Sequence, residues 1–316
     1  MTEATRIGLL VMAYGGPESL DDLPGYLADI RSGRPVPRNV LEEIRRNYAA
    51  IGGRSPLLGH TLRQADALAS VLSSFDGPRF HVFVGMRHWT PWIEERVGEM
   101  LDLGIERAVS IVMAPHFSTL SIAKYQGRIR DGLAFYRGHI DFAHVDGYHD
   151  SPGLIAALCS RVNEGLCSWD SDRRGDVHVV FSAHSLPARI VSAGDSYDRQ
   201  TMETARLVAR AARLPDSRWS WSYQSAGRSS EVWLGPALGD HLHNLAARGI
   251  RDVLSVPVGF VSDHVEILYD IDIEARRIAS SLDMRLERPP ALNDDTVFIA
   301  DLARIVRARA ATAGWL

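Results

Sequence analysis

Short apolar runs that close on Gly, Pro or His alternate along the chain with longer stretches whose apolar residues recur at helical spacing. That alternation predicts βαβ units and parallel sheets. In the first half the predicted strands are IGLLVMAYG from Ile7, FHVFVGM from Phe80, RAVSIVMAP from Arg107 and IDFAHVDG from Ile140. In the second half they are VHVVFSAHS from Val177, WSWSYQS from Trp219 and RDVLSVPVG from Arg251, with a fourth short strand near Met284. Helices are predicted over 92–103, 196–212, 237–247, 263–281 and 295–311.

The two halves echo one another. Gly104-Ile105 leads through an apolar strand to Pro115-x-Phe117-Ser118 and a helix, and Gly249-Ile250 leads through another to Pro257-x-x-Phe260-x-Ser262 and a helix. A duplicated α/β domain follows: two similar doubly wound, Rossmann-like parallel-sheet domains. The Gly, Asp and Pro turn signals of DGYHDSP place the boundary near 146–152. The expected domains are 1–148 and 149–316, the final helix being free to pack back on the first. In doubly wound sheets ligands bind beyond the carboxyl ends of the strands. Two such domains would turn those ends toward a shared cleft. The rule directs attention to Tyr14, His116, His184 and the segment from Asp263 to Glu266.

A length of 316 residues suits two domains, and 46% hydrophobic with 23% charged residues is a globular balance. A net charge of −4 argues against a nucleic-acid partner. Arginine far outnumbers lysine, which suits an anionic small molecule, although codon bias is the stronger explanation. Cys159 and Cys167 make neither a disulfide framework nor a thiolate metal site. The N-terminal MTEATRIGLL lacks a signal-peptide pattern and no apolar run is long enough to span a bilayer, so the expected location is cytoplasmic, with no stable membrane insertion.

Candidate chemistry gathers at two places. His184, in FSAHSLP, ends a strand, where an imidazole either binds metal, accepts a proton near neutral pH, or caps a backbone group. Glu266, Asp270 and Glu274 follow at i, i+4 and i+8, on one helix face. Like charges in a row are unfavourable unless a cation neutralises them, and carboxylates suit hydrated divalent ions, although a solvated acidic stripe has the same pattern. Gly15-Gly16-Pro17 and Gly52-Gly53-Arg54-Ser55-Pro56 read as tight turns, and neither is a nucleotide-binding motif.

Taken together, GLLVMAYGGP, YAAIGGRSPL, VGMRHWTPWIEE, MAPHFSTLSIAKY, FSAHSLP, YQSAGRSSEVWLGP and VPVGFVSDHVEILYDIDIE resemble the ferrochelatase family over nearly the whole chain, and its coproporphyrin III branch in particular. The resemblance implies a chelatase fold with the porphyrin in the interdomain cleft. It implies an enzyme, a lyase of haem biosynthesis, that inserts Fe²⁺ into coproporphyrin III to give coproheme. His184 matches the family's catalytic histidine and Glu266 its paired carboxylate, both also metal ligands, with Asp270 and Glu274 leading outward as an entry path. Tyr14 matches the tyrosine facing the iron from the other side of the macrocycle. Arg31, Tyr48, Ser55 and Tyr125 match substrate-binding positions that hold propionates. Asn47 stands where relatives often carry Arg, and Ala226 replaces a common acidic residue.

Between Ile30 and Tyr48 the chain lacks the apolar lip of membrane-bound relatives, and it ends at Leu316 without a cluster-binding cysteine tail. The resemblance therefore implies no iron–sulfur cluster and no cofactor beyond the substrate Fe²⁺, with porphyrin and Fe²⁺ as partners and transient contact with neighbouring haem-pathway enzymes. Protoporphyrin IX as substrate, another tetrapyrrole such as sirohydrochlorin, and a non-catalytic haem carrier are the rival readings. A two-domain solute-binding protein would share the architecture but requires export.

Overall fold

The apolar run that opens the chain forms β1 (Arg6–Ala13), buried from Ile7 onward on both of its faces. Burial on both faces is what a parallel strand covered by helices requires. The structure is a computed structural model, described over residues 6–227 and 229–316.

After β1 come α1 (Leu23–Ile30), α2 (Arg38–Ala50), α3 (Leu57–Ser73), β2 (Arg79–Met86), α4 (Ile93–Asp102), β3 (Arg107–Val112), α5 (Ile122–Tyr136) and β4 (Asp141–His144). The strands form a parallel four-stranded sheet in the order β2-β1-β3-β4. Leu10, Met12, Phe83, Val97, Met100 and Ile129 fill the core between this sheet and its helices. The second half repeats the plan with α6 (Pro152–Leu166), β5 (His178–His184), α7 (Arg189–Ser192), α8 (Tyr197–Ala211), β6 (Trp219–Gln224), α9 (Leu238–Ala247), β7 (Asp252–Val256), α10 (Val265–Leu268), α11 (Arg276–Ser281) and β8 (Arg285–Glu287). Its sheet runs β6-β5-β7-β8, all parallel, which is the same order as in the first half. The echo in the sequence is thus a repeated topology.

The chain divides into two compact units at Tyr148/His149. The last helix, α12 (Thr296–Thr312), starts where Asp295 accepts from the backbone N–H groups of Val297 and Phe298, at 3.0 and 3.1 Å. It packs on α3, β3 and β4, so Asn293–Leu316 belongs to the first unit. The second unit therefore closes at Leu292, short of the expected 149–316. Phe298 sits against Tyr148, whose hydroxyl donates to the Val112 carbonyl at 3.1 Å. Some of the arginines serve backbone carbonyls. Arg174 donates to Leu166 and Trp169, Arg251 to Ala246 and Ile250, and Arg285 to Ser168, at the carboxyl ends of α6 and α9.

One predicted element differs. Instead of one helix over 263–281 there are the short α10, a wide turn over Asp270–Ala275 with i→i+5 geometry, and α11. The Glu274 N–H reaches back to the Tyr269 carbonyl at 2.9 Å. Period-3.6 patterning carries no signal for a single wide turn, and here Asp270 and Asp272 turn to partners off the helix, Ser225 and Arg288.

The loop after β7 lies against the end of β5. The Gly259 N–H donates to the Ser182 carbonyl at 3.2 Å, and a Cβ on Gly259 would stand 2.6 Å from the Ala183 Cβ and 2.8 Å from its Cα. Since backbone cannot yield there, Gly259→Ala should destabilise the protein by about 1–3 kcal/mol. Urea unfolding would measure it, and wild-type stability would contradict the close approach.

Candidate functional site

Two groups from different strand ends meet in the second unit. His184 is the last residue of β5, and Glu266 lies in α10, which follows β7, the neighbour of β5 in the sheet. From β5 the connections run in opposite directions, to β6 on one side and to β7 on the other, which makes this the switch point of the sheet. His184 Nδ1 stands 2.9 Å from Glu266 Oε2, with side chains 29% and 33% exposed. A carboxylate only accepts, so Nδ1 carries the hydrogen and Nε2 is the nitrogen left to take a proton or ligate a metal.

Both members are held from behind. The Tyr197 hydroxyl donates to the His184 carbonyl at 2.9 Å. Ser182 donates to Gln224 Oε1 at 2.7 Å, and Gln224 Nε2 donates to the Glu266 carbonyl at 2.9 Å. His264 adds a second imidazole: its Nδ1 donates to the Ser262 carbonyl at 2.9 Å and its Nε2 lies 3.7 Å from Glu266 Oε2.

The acidic row continues. Asp270 accepts from the Ser225 hydroxyl, and Glu274, at the wide turn, adds its charge from the solvent side. In an α-helix a residue four positions on overshoots a full turn, whereas in the wider turn it falls short. The two offsets oppose, and both Glu266 and Glu274 stay close enough to Asp270 to act on its charge. Burial raises Asp270 to about 7, helped by the negative charges of Glu266 and Glu274. Burial also opposes charge on Glu266, but His184 and His264 win and hold its carboxyl well below the usual range. Burial lowers His184 too, yet the Glu266 carboxylate, with Asp270 behind it, sets it above its ordinary 6.5.

The first unit carries the other expected residues. Tyr14 follows β1 and is 38% exposed. Its ring lies 4.6 Å from that of His88, and the Arg87 guanidinium sits 5.9 Å from its centroid and 5.4 Å from that of Tyr125. Arg31 ends α1 and donates to the Pro35 carbonyl at 3.2 Å. Tyr48, Ser55 and Tyr125 are buried. Ser55 accepts from the Leu57 N–H at 3.3 Å, and its own N–H donates to the Pro17 carbonyl at 2.8 Å. The two glycine loops are therefore packed on each other, with Gly15, Gly52 and Gly53 all at positive φ. His116, flagged by its place after β3, is buried.

His88 was not among the expected residues. Its Nδ1 donates to Asp29 at 2.7 Å, and Asp29 also accepts from Arg128 Nη2 at 3.1 Å, while Arg128 Nη1 reaches Glu94 at 2.8 Å. Burial lowers His88 to about 4 despite Asp29, so it is neutral and backs Tyr14 without charge. The signal was present, for His88 lies two residues past the carboxyl end of β2.

Solved chelatase structures share this architecture. SirB from Bacillus subtilis with Fe³⁺ superposes with a TM-score of 0.60 at 10% identity, over 98% of this chain and 97% of that one. The sirohydrochlorin chelatase SirB from Bacillus subtilis subspecies spizizenii in complex with cobalt gives 0.57 at 9%, over 98% and 97%. At such identities the likeness defines the fold, a chelatase fold of two α/β units. The sequence model described as Ferrochelatase matches residues 6–310. Ferrochelatase of Deinococcus radiodurans is 55% identical over 98% of both chains, and coproporphyrin III ferrochelatase of Geobacillus sp. (strain WCH70) is 40% identical over 96% of this chain and 98% of its own. The chain belongs to the ferrochelatase family and is a metal chelatase, a lyase. Among the described residues no helix is long and apolar enough to cross a membrane.

The His184–Glu266 pair gives stability a defined pH window. His184 is raised, so its contribution is full below 6.5 and is lost as pH rises through its higher folded value. Glu266 is depressed, so its contribution is full above 4.5 and is lost as pH falls through its low folded value. Thermal melts across pH should show the pair's contribution greatest between these limits, and His184→Ala should flatten that maximum. An unchanged pH profile in the variant would contradict the pairing.

Proposed function

We propose that this protein inserts Fe²⁺ into coproporphyrin III, with the His184–Glu266 pair as the reacting centre. The observation that carries the chemistry is the 2.9 Å contact that fixes His184 as an Nδ1–H tautomer and leaves Nε2 as a base strengthened by a carboxylate. Insertion requires Fe²⁺ to shed water, the pyrrole nitrogens to present lone pairs, and two N–H protons to leave. His184 Nε2 takes the two pyrrole protons one after the other, releasing the first toward the acidic column before it takes the second, and Glu266 stabilises each imidazolium that results. Before any proton moves, a Glu266 carboxylate oxygen and His184 Nε2 replace water on Fe²⁺ stepwise, which lowers the cost of dehydration, and Nε2 becomes free to act as base once Fe²⁺ has passed to the pyrrole nitrogens. Asp270, raised to about 7, changes protonation near neutrality and, with Glu274, passes protons or metal along the column. Fe²⁺ is substrate here, and no iron–sulfur cluster or other cofactor enters the proposal. The proposed setting is the cytoplasm.

Tyr14 and the arginines of the first unit support the choice of porphyrin. Coproporphyrin III carries propionates at two edges where protoporphyrin IX has vinyls. An exposed phenol beside Arg87, with Arg31 at the end of α1, suits four carboxylates better than vinyl groups. The relative in Geobacillus bears the name coproporphyrin III ferrochelatase, and that in Deinococcus radiodurans is named ferrochelatase without a substrate.

Three outcomes are expected. His184→Ala should lower kcat by about 10²–10⁴-fold while porphyrin still binds. In the unaltered protein activity should rise with pH as the His184 imidazolium loses its proton. Glu266→Gln, which removes the charge raising His184, should lower the plateau and move that acid limb to lower pH. A His184→Ala variant within about threefold of wild-type turnover would reject the base.

Substrate choice is decided by kcat/KM for Fe²⁺ insertion into the two porphyrins side by side, followed by absorbance. A charge-assisted contact contributes about 1.5–3 kcal/mol, so two further propionates should favour coproporphyrin III by about tenfold or more after desolvation. Equal or higher efficiency with protoporphyrin IX would reject that choice and leave the chelatase reading in place.

A further inference from the structure

Arg288, in the loop after β8, is the most thoroughly engaged guanidinium in the second unit. Its side chain is 7% exposed. Nε and Nη2 grip the two oxygens of Asp272 at 2.8 and 2.7 Å, a two-pronged pairing. Nη1 lies 2.9 Å from Asp263 Oδ1 and donates to the Pro289 carbonyl at 2.8 Å. The two aspartates sit at opposite ends of the stretch that contains His264, Glu266 and Asp270. Asp263 precedes α10, and Asp272 lies inside the wide turn. A buried ion pair is seldom the most stabilising choice for a fold, but it fixes geometry that apolar packing leaves free. Only a planar fork reaches both partners, since an ammonium is a single point.

We propose that Arg288 is a positioning residue for metal insertion: by holding Asp263 and Asp272 together it fixes the wide turn and the spacing of Asp270 and Glu274 behind Glu266. The inference rests on the reading of Glu266 as part of the reacting centre. Without the grip on Asp272 the turn is free to return to ordinary helical register, which moves Asp270 and Glu274 relative to Glu266. Metal delivery then suffers, while the residues assigned to porphyrin, all in the first unit, keep their places.

The test is anaerobic Fe²⁺ insertion by the full chain, with metal and porphyrin varied separately. Arg288→Lys should lower kcat/KM for Fe²⁺ by about 10–100-fold, as loss of an outer partner does at metal-handling sites. The KM for porphyrin should stay within about twofold of wild type. Asp272→Asn should give a change of the same kind, and the double variant should be no worse than Arg288→Lys alone, because both remove one contact. If Arg288→Lys does not fold, Asp272→Asn carries the test, since an amide keeps the shape of that side chain. A thermal melt that drops while both Fe²⁺ parameters stay at wild type would overturn the inference, as would effects that multiply in the double variant. Wild-type protein that inserts no Fe²⁺ would overturn the chelatase reading and this inference with it. Normal wild-type insertion with unchanged variants would overturn this inference alone.

Discussion

The hydrogen bond from His184 Nδ1 to Glu266 Oε2 joins the end of β5 to the segment after β7, and the rest of the second unit is arranged around it. A charge-assisted bond contributes about 1.5–3 kcal/mol, and the partial exposure of both side chains puts this one at the lower end. That is too little to hold two loops by itself. The geometry comes from the scaffold: Gly259 against Ala183 sets how closely the loop approaches, and Gln224 and Tyr197 fix the two backbones. The bond then sets chemistry more than stability, because it decides which imidazole nitrogen is free and how basic it is.

The repeated strand order explains why both units place reactive groups at corresponding points. Tyr14 follows β1 as His184 ends β5, and β1 and β5 hold the same position in sheets of the same order. The local electrostatics differ in kind. Behind His184 stands a carboxylate column that strengthens a base, whereas beside Tyr14 stands a neutral His88 whose charge burial suppresses. One topology therefore supplies an imidazole paired with a carboxylate and a phenol beside an uncharged imidazole, and the difference lies in what each loop sequence brings to the strand end.

The strands were legible because each is a short apolar run between turn signals, and even the brief β8 was expected near Met284. The site was legible where a strand end and a polar residue coincide, as at His184 and Tyr14. The wide turn was not, because inserting one residue into a helical register leaves the apolar spacing almost unchanged, and its partners Ser225 and Arg288 are remote in sequence. The return of α12 to the first unit was foreseen as an option, but the domain bounds were drawn without it. Its apolar residues specify burial without specifying against which sheet, and the decision rests on contacts with β3, β4 and α3. His88 was overlooked although it lies past the end of β2, because a histidine between Arg87 and Trp89 gives no sign that Asp29 will meet it.

The acidic column shows why such a row persists. Three carboxylates in line would repel one another on an exposed helix. Here one is held ionised by two imidazoles, the next is kept partly protonated by burial and by its neighbour's charge, and the third faces solvent. The repulsion is thereby graded from the inside outward: charge is firm at Glu266, variable at Asp270 and hydrated at Glu274. Of the three, Asp270 is the one whose protonation burial and its neighbours' charges bring near neutrality. Burial, helped by the same repulsion that makes such a row unfavourable as surface decoration, raises Asp270 to about 7, so the feature that creates the difficulty also sets this group apart from an ordinary carboxylate.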